Sequence, residues 1–259
     1  MKIVNTDNIK MKSKNRVFNR LPKEEVLRIL SENLVPVCLK QGDKVLDSSK
    51  YTRIARDYQY KNYKFCSYAD IKRLGLEDSF TTYQKQFFSE AGATIAIFNE
   101  LGGKLISVVF RSVSEKAFMD YSLVYSLYGY DLIPDDFKYG DYLVITEGLY
   151  DADSLRRIYP YTVAMLTSNI TVMQAAILKT MTDKFIIAFD ADSAGESGFN
   201  KALKRLGTDI KKLPMYPGDK DLGIIEEIKL SDPKGFKDRD EFYREKIQEC
   251  KSSIGFSLE

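Results

Sequence analysis

Past Pro134 the apolar positions of this chain come in short unbroken runs separated by stretches with helical spacing. The runs at 142–146 (YLVIT), 162–166, 185–189 (FIIAF) and 210–215 read as strands, because β-branched and aromatic residues crowd them. Between them, 151–159 places Ala152, Leu155 and Ile158 on one helical face, and 171–181 and 194–206 read as two further helices. Strand and helix therefore alternate as β-α-β-α-β-α-β. That order predicts a mainly parallel four-stranded sheet covered by helices, since parallel neighbours need crossovers and these are usually helical.

The first half is patterned differently. From Pro22 to Asn33 a proline, a lysine and two acids precede Val26, Leu27, Ile29 and Leu30, which reads as a helix with proline in its first turn. A short helix fits 68–74 and is ended by Gly75, while 36–66 shows weak periodicity. The runs at 93–98 (ATIAIF) and 104–110 (KLISVVF), joined through Asn99 to Gly103, predict a hairpin. The change of pattern at 131–140 marks a domain boundary. We expect an α+β unit over 1–130, an α/β unit over 131–223 and a charged tail over 224–259 with one helix around Glu241 to Lys251. There is no internal repeat and no low-complexity segment.

Composition narrows the chemistry. At 259 residues and 44% hydrophobic, the chain has material for a real core. No run approaches the roughly 18 apolar residues of a membrane helix and the start is not that of a signal peptide, so we expect a cytoplasmic protein with no membrane partner. There is no histidine, and the three cysteines, Cys38, Cys66 and Cys250, are far apart. That count argues against a disulfide framework or a zinc ribbon and removes every Ser-His or Cys-His nucleophile, so chemistry must rest on carboxylates, lysines, hydroxyls or metal ions. The formal charge is only +2, but Lys2, Lys10, Lys12, Lys14, Arg16, Arg20 and Lys23 face a single acid, Asp7, in the first 23 residues. Such an arm attracts phosphates or is simply a solvated terminus.

The acids fall where a parallel sheet binds ligands, at the carboxyl ends of strands. Glu147 follows YLVIT and Asp151 lies in the next helical turn; FIIAF leads into Asp190-Ala-Asp192-Ser-Ala-Gly195; the fourth run leads into Tyr216-Pro-Gly-Asp219-Lys220-Asp221. Each aspartate taken alone also suits a helix N-cap. Taken together, so much negative charge in one crevice raises carboxyl pKa values unless a cation compensates it, and magnesium, which favours oxygen ligands, is the natural one. Glu147, set apart from the Asp pair, is also placed to act as a general acid or base.

Glu147-Gly148, Asp151 and Asp190-x-Asp192-x-x-Gly195 resemble the Toprim signature shared by DnaG-type primases, topoisomerases and several nucleases. The match spans about 141 to 222. Within that group Ile145-Thr-Glu-Gly-Leu-Tyr-Asp151 and the Asp190 segment are most similar to primases, and Pro217-Gly-Asp-Lys-Asp221 is similar to the third acidic motif of phage primase-helicases. Upstream, the hairpin ending in Arg111, then Lys116, then Tyr128-Gly129, resembles the N-terminal part of a primase core. The chain departs from that family in lacking the zinc ribbon and any P-loop helicase motif. It reads as a stand-alone, phage-like catalytic core.

The resemblance implies a Rossmann-like Toprim domain beside an α+β subdomain, and a primase joining ribonucleoside triphosphates on single-stranded DNA. It implies one to three Mg²⁺ or Mn²⁺ ions and no zinc, with Glu147, Asp190 and Asp192 catalytic and Glu147, Asp151, Asp190, Asp192, Asp219 and Asp221 as metal ligands. Arg111, Lys116 and Lys220 are then expected to bind template or nucleotide, and a replicative helicase or other replisome protein is an expected partner. A Toprim nuclease using the same carboxylates, and a non-catalytic single-stranded DNA-binding accessory, remain as alternatives. Tyr121 and Tyr125 are spaced for base stacking or, more commonly, for a place in a core.

Overall fold

The computed structural model describes residues 20–36, 63–113, 117–123, 127–166, 169–207, 209–223, 225 and 231–253. Most of the basic N-terminal arm, Cys38, Lys116 and Tyr125 lie outside the described residues.

The first unit is a five-stranded antiparallel sheet in the order β1 (Val35–Pro36), β2 (Tyr63–Ser67), β3 (Ala93–Leu101), β4 (Lys104–Ser112), β5 (Phe118–Ser122). The predicted hairpin is β3–β4, and it is tighter than a five-residue link. Both strands run to Gly102-Gly103, whose φ values of 58° and 71° suit the primed two-residue turns that match strand twist. Three helices cover one face: α1 (Lys23–Asn33), α2 (Tyr68–Arg73) and α3 (Thr82–Ala91). Val26, Leu27 and Leu30 of α1, with Ile71 and Phe88, bury against Ala96, Phe98, Val108 and Phe110. Tyr121 joins this core at 3% exposure with its ring 4.9 Å from Phe80, which settles it as a packing residue.

The second unit is the alternating one. Its strands β6 (Tyr142–Thr146), β7 (Thr162–Ala164), β8 (Lys184–Ala188) and β9 (Ile210–Lys212) are all parallel, in the order β7-β6-β8-β9. Every residue of β6 is buried. That explains its unbroken apolar run, because a parallel sheet is covered on both faces. Leu143, Ile145, Phe185 and Ile187 point to one face and pack on α5 (Val172–Met181) and α6 (Ser193–Leu206). Tyr142, Val144, Ile186 and Ala188 point to the other face, against Leu155 of α4 (Leu149–Arg156) and Tyr243 and Ile247 of α7 (Pro233–Ser252).

The helix expected around 241–251 is thus 20 residues long, starts at Pro233, and belongs to the core of the parallel sheet. Asp232 caps it and a proline sits in its first turn. Burial of each of its two core side chains contributes on the order of 2 kcal/mol.

The two sheets share a third core. Tyr63, Ile95, Ile97 and Val109, on the uncovered face of the antiparallel sheet, pack against Leu149, Ala152 and Ala164. Tyr128 binds this seam as a strand fragment: its N–H donates to Ala164 O at 2.8 Å and its carbonyl accepts the Ala164 N–H at 2.9 Å. Gly129 follows at φ 81°, where a Cβ would meet the Arg156 guanidinium at 2.0 Å. The positive φ favours glycine there, and a Cβ would also make Arg156 move from its place against Thr162 and Asp153.

Candidate active site

The order β7-β6-β8-β9 reverses direction between β6 and β8, and a parallel sheet opens a crevice at such a switch point, outside the carboxyl ends of its strands. Glu147 leaves β6 and Asp190 leaves β8 at that place. The sequence provides both exits. Gly148 caps α4 without a side chain in the way, and Gly195 lets the first turn of α6 close onto the Asp190 carbonyl, which a Cβ would meet at 2.1 Å.

Glu147, Asp151 and Asp190 are half-buried, while Asp192 and Asp221 are exposed. Burial, and then repulsion from Asp190 and Asp192, pushes the Glu147 carboxyl up to about 7. Burial, and then repulsion from Asp190 and Asp221, pushes Asp151 up to about 7 as well, against the N–H groups of Gly148 and Gly223 that favour its charge. Asp190 is the acid common to both sets. Asp151 Oδ1 and Asp221 Oδ1 also converge on one point, lying 3.5 and 3.2 Å from where a Cβ on Gly223 would stand. Acids from three strand ends therefore share one field.

Some of these acids have local duties too. Asp192 Oδ1 caps α6 by accepting the Gly195 N–H at 2.8 Å, and Asp151 Oδ2 accepts from Gly148 N at 3.2 Å. Glu147 Oε1, by contrast, is buried with no hydrogen-bond partner. A buried carboxylate oxygen left without a donor is costly, and a cation is what such an atom fits. Among the described residues no three acids close into a ready-made cage. That is compatible with magnesium, which takes one or two carboxylates and completes its shell with water and phosphate oxygens.

Asp219 is placed differently from the expected ligand. Its side chain is 1% exposed, and its two oxygens accept from Arg239 Nε and Nη2 of α7, both at 2.6 Å. Both carboxylate oxygens are engaged by a guanidinium, which competes with a metal for them. Lys220 is exposed, and its carbonyl accepts the Ala191 N–H at 2.9 Å, which ties the third acidic loop to the second.

Arg111 ends β4 at the seam between the sheets. Its guanidinium lies 5.0 Å from the Tyr150 ring centroid and 5.8 Å from that of Phe118, and it hydrogen-bonds the Tyr150 hydroxyl. Tyr150 belongs to the seam between the sheets, so Arg111 is held there by its ring and hydroxyl. Sequence reasoning missed Arg239, which is 20 residues from its partner, and also the seam cluster of Tyr63, Tyr128, Asp153 and Arg156. In that cluster Tyr63 and Tyr128 donate to Asp153 Oδ2 at 2.6 and 3.0 Å, and Arg156 pairs with Oδ1. Of these four residues, only Tyr128 stands in a recognisable motif, Tyr128-Gly129.

Residues 144–223 match the family model described as Toprim-like. A curated DNA primase of Clostridium acetobutylicum is 37% identical over 84 residues, which is 30% of this chain and 14% of that protein. The aligned segment thus spans about a seventh of that relative's length. Among solved structures, the zinc-binding and RNA polymerase domains of the Aquifex aeolicus primase superpose with a TM-score of 0.59 at 15% identity, covering 87% of this chain and 62% of that one. A DNA primase domain from Pseudomonas aeruginosa gives 0.57 at 16%, covering 84% and 78%. A DnaG catalytic core gives 0.54 at 18%, covering 85% and 79%. The chain thus carries a Toprim-like domain within the fold of DnaG-type primase catalytic cores.

Proposed function

We propose that this chain is a DNA primase, a nucleotidyltransferase that joins ribonucleotides on a single-stranded DNA template. The observation that carries the reading is the convergence of Glu147, Asp151, Asp190, Asp192 and Asp221 on the β6/β8 switch point of a Toprim-like sheet. Glu147, Asp190 and Asp192 line one side of the crevice and Asp151, Asp190 and Asp221 the other, and a divalent cation would take one or two of these carboxylates together with water and phosphate oxygens. Mg²⁺ or Mn²⁺ bound there supplies charge neutralisation for a triphosphate and lowers the pKa of an attacking hydroxyl. Where the cation is held by the aspartates, Glu147 is instead free to take a proton from that hydroxyl. In this reading Arg111 supplies a cation for template or nucleotide phosphate. Exposed Lys220 adds positive charge beside Asp221, and Lys116, outside the described residues, completes the expected basic set. The partners of the proposed activity are template, ribonucleoside triphosphates and, further out, a helicase or other replisome protein. No described helix is long and apolar enough to cross a membrane.

The test is a direct assay with single-stranded DNA, labelled ribonucleoside triphosphates and Mg²⁺ or Mn²⁺. New oligoribonucleotides are expected, and Asp190→Asn with Asp192→Asn should abolish them while the far-ultraviolet circular dichroism stays that of the parent. Shortened DNA in place of new RNA would instead identify a nuclease, and a mobility shift with neither product a binding module. Primer synthesis undiminished in the double variant removes the assignment.

A further inference from the structure

The loop that carries Asp221 is held from outside. Tyr216-Pro217-Gly218-Asp219 forms a turn with Asp219 N donating to Tyr216 O at 3.0 Å and Gly218 at φ 91°, as the third position of a type II turn requires. Beyond that turn, the loop's hold comes from α7. The Tyr243 hydroxyl accepts the Tyr216 N–H at 3.0 Å. Arg239 grips Asp219 with two 2.6 Å bonds, donates through Nη1 to Gly235 O at 3.1 Å, and lies 4.4 Å from the Tyr216 ring centroid. The pair is enclosed, at 15% and 1% side-chain exposure, and bidentate, which makes it a stiff joint rather than a surface ion pair. On the other side Lys220 O ties the loop to Ala191, between Asp190 and Asp192. Asp221 therefore sits two residues beyond the Arg239 grip, where it meets Asp151.

We propose that Arg239 is a positioning residue for the acidic crevice: by holding Asp219 it fixes Asp221 against Asp151 and thereby sets the crevice's affinity for a divalent cation. The proposal rests on the metal-binding reading given above. Asp219 then orients the third loop without coordinating. A purely structural ion pair would add stability and leave cation affinity alone, so affinity is the discriminating measurement.

Mn²⁺ uptake by the full chain, followed through the electron paramagnetic resonance of free Mn²⁺, is measured below the unfolding temperature of every variant. Arg239→Lys keeps the charge and loses the fork. It should weaken Mn²⁺ binding about 10- to 100-fold, the range found when a residue orienting a metal ligand is lost. Asp219→Asn should do the same, and the double variant should bind no worse than the weaker single, because the two act through one joint. Tyr243→Phe keeps the ring and its packing and should give a smaller loss in the same direction. In the joining assay these variants should need more Mn²⁺ for half-maximal rate and recover near-parent rates at saturation.

Unchanged Mn²⁺ affinity in folded Arg239→Lys and Tyr243→Phe, with binding lost in Asp190→Asn, overturns the proposal and leaves the crevice reading standing. A loss confined to Asp219→Asn overturns it too, by making Asp219 a ligand. If the parent takes up no Mn²⁺, or Asp190→Asn binds as the parent does, both ideas fall together. Should Arg239→Lys fail to fold, Tyr243→Phe decides the matter.

Discussion

Glu147 and Asp151 are acids held near neutrality by burial and by one another's neighbours, and this has a sign that stability measurements can read. A carboxyl whose pKa is raised in the folded chain binds its proton more tightly there than in the unfolded chain. Its penalty is absent below the ordinary carboxylate range near pH 4 and grows until the pH passes about 7. In chelator, the melting temperature should therefore lose ground across that window, and Glu147→Gln or Asp151→Asn should recover a few degrees at pH 8 while removing activity. Added Mg²⁺ should raise the parent's melting temperature more at pH 8 than at pH 5.5, because bound metal needs ionised carboxylates. Equal Mg²⁺ shifts at both pH values would argue that the cation binds elsewhere.

At the scale of elements, the turn from β8 into α6 has no slack. Gly195 lies against the Asp190 backbone, so Gly195→Ala forces a 2.1 Å approach to a carbonyl that no rotamer relieves. We expect a cost of about 1–3 kcal/mol in urea unfolding and loss of activity through displacement of Asp190 and Asp192.

The same elements show what the sequence displays and what it hides. β6 and β8 were legible because two-sided burial writes itself as an uninterrupted apolar run. Helices α4 to α6 were legible from their spacing. By contrast β2 (YKFCS) and β5 (FMDYS), of the same length, mix polar with apolar residues and show no uninterrupted run. Helix α3 was missed although Thr81 and Gln84 form a capping box at its start, a signal that was present and passed over. The acids of the crevice could be listed from strand ends. The diversion of Asp219 to Arg239 could not, since a pairing across a charged segment leaves no local mark.

At the scale of the molecule, the two sheets are joined through Asp153. It is 5% exposed and accepts from Tyr63 of the first unit, from Tyr128 of the connection and from Arg156 of its own helix. Asp153→Ala would leave a guanidinium and two buried hydroxyls without their acceptor, at a cost of about 3–5 kcal/mol. Because the cluster spans the seam, the parent should unfold in one transition, whereas Asp153→Ala should separate the loss of the two sheets when intrinsic fluorescence and circular dichroism are compared. Coincident transitions in that variant would show that the apolar seam alone couples the units.

The helix that grips the third acidic loop follows in the chain all four strands of the sheet it covers. Synthesis runs from the N-terminus, so the strands bearing Glu147 and Asp190 emerge while Tyr243 and Ile247 are still to come, and one face of their sheet stays wet until those side chains arrive. On the ribosome the acids would then exist first as a loose anionic mouth, and competence would follow only once α7 docks.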